Sequence, residues 1–160
     1  MSSCVFPGSF DPVTRGHMDL ISRAAGIFDR VTVTVMVNVH KKGTIPAEKR
    51  IELLKEACGE LENVRVDRWD GLLADYMREK GERVIIRGVR GAGEYDSEMI
   101  SSGINRMLNP EIETLLMPAS EGKNGVSSSA VREIAAFGGD ISAFVPEGMA
   151  DKIGRLLGLE

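Results

Sequence analysis

The 160-residue chain is 42% apolar and 28% charged, with a formal net charge of -4, a balance that suits one globular domain with a proper core and excludes a disordered chain. No run approaches the roughly 18 to 20 apolar residues of a membrane helix, and no basic region followed by a long apolar stretch opens the chain, so a soluble cytoplasmic protein with no membrane partner is expected. The acidic balance argues against a nucleic-acid partner, which needs a basic face, so any anion site must be a local cluster of positive charge.

Cys4 to Phe6 reads as a short first strand, followed by the turn Pro7-Gly8-Ser9-Phe10-Asp11-Pro12. Gly8 lets a backbone approach a ligand closely, and Ser9 offers a hydroxyl beside exposed amides. Thr14-Arg15-Gly16-His17 then opens a helix whose apolar residues Met18, Ile21, Ala24, Ala25 and Phe28 recur at helical spacing. His17 falls in the first turn, where the dipole and free amides favour an anion. Turn glycines and a capping histidine explain the same residues equally well. Val31 to Val39 is β-branched and nearly all apolar, as a strand covered on both faces should be. It ends in Asn38-Val39-His40-Lys41-Lys42-Gly43, where the ordinary meaning of adjacent lysines is a solvated pair.

Pro46 marks another helix start, with Ile51, Leu54 and Cys58 on its apolar side. Val64 to Val66 is a short strand, and Leu72, Leu73, Tyr76 and Met77 follow at helical spacing. The strand Arg83 to Arg87 closes in Arg87-Gly88-Val89-Arg90-Gly91-Ala92-Gly93, whose two guanidinium groups suit a bidentate grip on phosphate or carboxylate. Thr114 to Met117 is the fifth strand. Gly125-Val126-Ser127-Ser128-Ser129 precedes the helical pattern Val131, Ile134, Ala135, and serves as a phosphate cradle or as a plain serine N-cap. From Val145-Pro146-Glu147 onward the tail predicts one more helix, with Ile153, Leu156 and Leu157 on its apolar side. Cys4 and Cys58, without C-x-x-C spacing, are expected to be small core residues rather than a disulfide or metal site.

The alternation predicts a Rossmann-like, doubly wound α/β fold: a parallel five-stranded sheet with helices on both faces, in a single domain over residues 1–160. Ligands of such sheets sit at the carboxyl ends of the strands, so four anion-friendly loops would converge on one cleft suited to a polyphosphate. Several familiar signatures are absent. Gly122-Lys123 is followed by Asn124 and lacks the earlier glycine of a P-loop, Gly91-Ala92-Gly93 lacks the third glycine of G-x-G-x-x-G, and no G-x-S-x-G or H-E-x-x-H occurs. What remains is non-covalent transfer of a phosphorus group by positioning and charge stabilisation.

Pro7 to Pro12 followed by Gly16-His17 resembles the (T/H)-x-G-H signature of the cytidylyltransferase-like nucleotidyltransferases, and Val126 to Ser129 with Val131-Arg132 resembles their second signature. Lys41-Lys42, Gly71 to Tyr76, Arg87 to Arg90 with Glu94-Tyr95 and Glu98-Met99, and Asn105-Arg106 are similar to the bacterial phosphopantetheine adenylyltransferases of that superfamily, over almost the whole chain. The resemblance implies the penultimate step of coenzyme A synthesis, in which ATP and 4'-phosphopantetheine give dephospho-coenzyme A and pyrophosphate. Magnesium would accompany ATP rather than occupy a protein metal site.

By that resemblance His17, Lys41 and Arg90 would act at the reacting centre. Ser9, Phe10, His17, Gly88, Val89, Arg90 and Glu98 would bind ATP, with Lys123, Asn124, Gly125, Val126, Ser127, Ser128 and Ser129 closing over it. Ser9, Lys41, Leu73 and Arg87 would hold phosphopantetheine. The stretch EGKNGVSSS lacks the aromatics that the family carries near Lys123 and Gly125, and Lys123 is expected to contact nucleotide phosphate instead. A homohexamer and feedback inhibition by coenzyme A are further implications. Two other readings stay open: a sibling enzyme of the glycerol-3-phosphate cytidylyltransferase or nicotinamide mononucleotide adenylyltransferase type, and a nucleotide-binding module without catalysis.

Overall fold

Aliphatic side chains alternate between the two faces of the central strands, and that alternation decides where the helices settle. The computed structural model describes residues 1–38, 40–122 and 126–159. Within them β1 (Ser3–Gly8), β2 (Arg30–Met36), β3 (Val64–Trp69), β4 (Val84–Val89) and β5 (Glu113–Pro118) form one all-parallel sheet in the order β3-β2-β1-β4-β5. The helices are α1 (Arg15–Ala25), α2 (Ala47–Ala57), α3 (Leu73–Lys80), α4 (Ala92–Leu108), α5 (Ser128–Ala136) and α6 (Ala150–Leu156).

On β1, Cys4 and Phe6 join one buried cluster and Val5 the other; on β4, Ile86 and Ile85 divide in the same way. The larger cluster gathers Ile21 of α1, Leu53 and Leu54 of α2, Val131 of α5 and Ile153 of α6. The smaller gathers Ala74, Tyr76 and Met77 of α3 with Ile112. Helices therefore cover both faces of a parallel sheet, as the sequence predicts. Cys4 and Cys58 are buried free thiols whose pKa values burial pushes up to about 12 and about 11, which makes them inert core residues. No helix among the described residues is long and apolar enough to cross a membrane.

All five strands differ from their predicted bounds, β1 and β3 by running on to Gly8 and Trp69 where Phe6 and Val66 are the predicted ends, and two further shifts bear on the site. β2 stops at Met36 rather than running to residue 39, because the Asn38 side chain accepts the His40 amide at 2.9 Å and turns the chain. β4 runs on past Arg87, since Arg87, Gly88 and Val89 pair with Leu116, Met117 and Pro118. The predicted loop over 87–93 thus shrinks to Arg90 and Gly91, the cap of α4. Gly88 is a strand residue, and a Cβ there would lie 2.2 Å from Leu20 Cδ1, so glycine is what lets α1 lie close on the sheet.

The longest helix, α4, has no counterpart among the elements predicted from sequence. It is inside out. Glu94, Glu98, Ser102 and Asn105 are half-buried, whereas Tyr95, Met99, Ile100, Ile104, Met107 and Leu108 are exposed. A helix is recognised by an apolar stripe against the core. Here the inward stripe is polar, and none of the 17 residues is fully buried.

Ile153, wholly buried, pins the seven-residue α6 onto the larger cluster. Ile153→Ala is expected to lower the unfolding free energy by about 3 kcal/mol, measured by urea denaturation. A loss below about 1 kcal/mol would show that α6 contributes little to the fold.

Candidate active site

The spacing Thr14-x-x-His17 is that of a capping box at the start of α1. Thr14 Oγ1 accepts the His17 amide N–H at 3.2 Å, and His17 Nδ1 accepts the Thr14 amide N–H at 3.0 Å. Because Nδ1 is engaged as an acceptor, the ring proton resides on Nε2. Burial, then the positive charges of Arg90 and Arg87, push the His17 pKa down to about 4. At neutral pH the imidazole is therefore an uncharged hydrogen-bond donor. The Phe10 ring meets it edge-on, with centroids 4.9 Å apart. Gly16 completes the arrangement, since a Cβ there would sit 3.0 Å from the Val126 carbonyl.

The turn after β1 is set by Phe10, whose φ of 49° lies in the left-handed region that non-glycine residues seldom adopt. Its ring is only 1% exposed and packs near Phe6, which holds the backbone there. Ser9 is left exposed at the end of the strand.

β1 and β4 are the neighbours at which strand order reverses, and their carboxyl ends open on two cavities that share Pro7, Gly8, Ser9, Arg87 and Glu98. The larger, about 460 Å³, is walled by His17, Gly88, Arg90, Arg132 and the segment 126–129. The smaller, about 230 Å³, runs beneath α4 past Asn105 to Leu73, Met36 and Ile85.

Charge in this crevice is closely matched. Arg87 donates from Nε and Nη2 to Glu98 at 2.9 and 2.7 Å, and from Nη1 to the Pro7 carbonyl at 2.8 Å. Arg90 pairs with Glu94, which also accepts the Arg90 amide at 2.8 Å; hydrogen bonding from Arg90 holds that carboxyl below the usual range. Arg132 instead binds the Asp11 carbonyl and, at 3.2 Å, the Ser129 hydroxyl. With His17 neutral, Arg132 is the one cation lining the larger cavity, among the described residues, that has no carboxylate partner.

The three serines divide their work. Ser127 Oγ caps α5 by accepting the Ala130 amide at 3.1 Å, as in the plain N-cap reading, and Ser128 Oγ donates to the Pro12 carbonyl at 2.7 Å. The first amides of α5 stay available to an anion.

The structure therefore brings Ser9, His17, Gly88, Arg90, Glu98, Val126, Ser127, Ser128 and Ser129 around the larger cavity, and Ser9, Leu73 and Arg87 around the smaller. Three predicted site residues lie elsewhere. Phe10 is buried behind His17, Val89 is paired in the sheet with Pro118, and Lys41 is exposed on the loop after β2, outside both linings. Lys123, Asn124 and Gly125 lie outside the described residues. Sequence reasoning gave no role to Arg132, three residues beyond Ser129 on the same helix, or to Glu94, which reaches back from the first turn of α4 to Arg90 just before its cap.

Residues 5–134 match the family described as cytidylyltransferase-like. The phosphopantetheine adenylyltransferase of Finegoldia magna is 46% identical over 149 residues, 93% of this chain and 92% of the relative. That of Rubrobacter xylanophilus is 42% identical over 156 residues, 98% of this chain and 95% of the relative. The chain belongs to the cytidylyltransferase-like family, in its phosphopantetheine adenylyltransferase branch. Among solved structures, a bifunctional NMN adenylyltransferase/ADP ribose pyrophosphatase from Francisella tularensis shares the fold, with a TM-score of 0.74 at 15% identity over 98% of this chain and 50% of that one.

The capping box makes a testable statement about His17. Imidazole ¹⁵N–¹H correlation spectra are expected to show the Nε2–H tautomer from about pH 8 to about pH 5, with a midpoint near 4. The unfolded chain takes up this proton near 6.5, so stability is full above that pH and falls as pH drops toward 4. A midpoint above 6 would contradict the geometry.

Proposed function

We propose that the chain transfers the adenylyl group of ATP to 4'-phosphopantetheine, releasing pyrophosphate and forming dephospho-coenzyme A. The observation that carries this reading is the pair of joined cavities. One is rimmed with donors for a polyphosphate; the other, bounded by Leu73, Met36 and Ile85, suits an extended pantetheine arm. They meet at Ser9 and Arg87, where the two reacting phosphates must lie together. The names of the relatives point the same way.

A phosphate oxygen of the acceptor attacks the α-phosphorus in line. The new O–P bond forms as the bond to the bridging oxygen breaks, and pyrophosphate leaves with that electron pair. The nucleophile is already an anion, so no general base is required; the difficulty is repulsion between two anions, which fixed donors relieve. His17 donates from Nε2 to an α-phosphate oxygen. Arg132, the Ser129 hydroxyl and the first amides of α5 receive the outer phosphates. Arg87 takes the acceptor's phosphate and Arg90 the nucleotide's, each exchanging its carboxylate partner for phosphate oxygen, while Glu98 turns to the nucleotide. Lys41 reaches in from its loop to bridge the acceptor and the reacting centre, and Lys123 contacts nucleotide phosphate.

Among the described residues no three His, Cys, Asp or Glu converge as a metal cage, and Glu94 and Glu98 are each bound to an arginine. Magnesium, a hard cation satisfied by phosphate oxygens, arrives on ATP in this reading. A cytoplasmic setting accords with two free buried thiols. Coenzyme A carries the same pantetheine arm and competes for the smaller cavity as a feedback inhibitor.

Pyrophosphate release measured with ATP or CTP, against phosphopantetheine, glycerol 3-phosphate and nicotinamide mononucleotide, is expected only for ATP with phosphopantetheine. His17→Ala should lower that turnover by about 10²- to 10³-fold. Release with another pair would move the chain to a sibling activity, and silence with every pair would favour a binding module. The exposed apolar stripe of α4, with Leu115 on β5, fits association of copies into a homohexamer. Light scattering should give six times the chain mass, reduced by Ile100→Glu with Ile104→Glu; a monomeric wild type would rule the hexamer out.

A further inference from the structure

We propose that Asp11 and Arg50 form a positioning clamp that locks the Lys41 loop to the Ser9 turn, so that two segments contacting the acceptor's phosphate move as one body. The inference rests on the reaction proposed above, and it concerns two residues outside both cavities.

Arg50, on α2, is only 6% exposed, and its charge has no carboxylate within salt-bridge distance among the described residues. Its Nη1 donates to the Ser9 carbonyl at 2.8 Å, while its Nε is buried without a partner. A guanidinium held this way is costly to bury, and an apolar residue would serve packing at least as well. What it does secure is the backbone of Ser9, the exposed residue directly after β1 that lines both cavities.

Asp11 acts from the other side of the same turn. It is 7% exposed, and its two oxygens accept the consecutive amides of Thr44 and Ile45, each at 2.8 Å. Those amides belong to the limb by which the lysine loop returns to α2. Between the two grips lies Gly43, where a Cβ would meet Arg50 Nη2 at 3.1 Å, the Ile45 carbonyl at 3.2 Å and Asp11 Oδ2 at 3.3 Å. Asp11 and Arg50 thus converge on one point, two residues after Lys41. The positive φ of Phe10 is what presents Ser9 outward and Asp11 inward from adjoining positions. Lys41 itself is exposed, so the placement of its backbone decides where its ammonium can reach. A misplacement near 1 Å from a remote substitution can cost about 10²-fold in rate.

The test is a double-mutant cycle on kcat/KM for 4'-phosphopantetheine, with thermal melting as the control for folding. Arg50→Met is expected to lower kcat/KM by about 10²-fold in the wild-type background and by under about tenfold when Lys41→Ala is already present. Gly43→Ala removes no functional group but displaces the clamp, and should show a smaller effect with the same dependence on Lys41. Equal losses in both backgrounds, or no loss in either, would overturn the clamp. If Arg50→Met does not fold, Gly43→Ala decides. A wild-type protein that fails to turn over this substrate pair sinks the proposed reaction and the clamp together, whereas an active wild type with an additive cycle sinks the clamp alone.

Discussion

β1 and β4 lie side by side, yet the chain leaves β1 toward one face of the sheet and β4 toward the other. Right-handed crossovers between parallel strands require this wherever strand order reverses. The crevice between α1 and α4 is the result, and the chemistry hangs on it. His17 comes from the first turn of α1, Ser9 from the end of β1, Arg87 from β4 and Glu98 from α4. Gly88 permits the close approach of α1 that brings the histidine within reach of the strand ends.

The electrostatics of the crevice differ from a simple positive well. Arg87 and Arg90 are each matched to a carboxylate, and His17 is kept neutral by burial and by those same arginines. Among the described residues of the crevice only Arg132 meets an arriving anion without a carboxylate partner, whereas Arg87 and Arg90 would bind one only in exchange for Glu98 and Glu94. The modest cost of breaking half-exposed pairs keeps such an exchange reversible. A neutral imidazole contributes direction more than charge, which suits a centre where two anions must be brought together and then released.

Much of this was legible in the sequence, for reasons that can be traced to particular residues. β2 is β-branched almost throughout, β4 sends Ile85 and Ile86 into opposite clusters, and α1 carries its apolar residues at regular spacing, so composition and periodicity located them. His17 was legible because it falls in the first turn of the helix after β1, where free amides favour an anion, and because Gly16-His17 resembles the family signature; its capping-box geometry emerged only in the structure. Other features had no local signal. Arg87 reads like the end of a strand because glycine follows it, while the pairing of Gly88 and Val89 depends on β5, far along the chain. α4 was invisible to a search for an inward apolar stripe. Lys41 carries the motif without lining the crevice, since its loop lies outside both cavities.

The inverted helix α4 divides the molecule into parts with different freedom to change. His17, Ser128, Ser129 and Arg132, which line the larger cavity, stand on α1 and α5, whose inner faces belong to the larger core, so substitutions there disturb the fold. The wall of the smaller cavity formed by Ser101, Ser102 and Asn105 stands on a helix that places no fully buried residue in either core. Substitution along that wall costs the domain little stability. A scaffold built this way can reshape the smaller cavity through the second half of α4 while the first half, which carries Glu94, Ser97 and Glu98, keeps its place in the larger one.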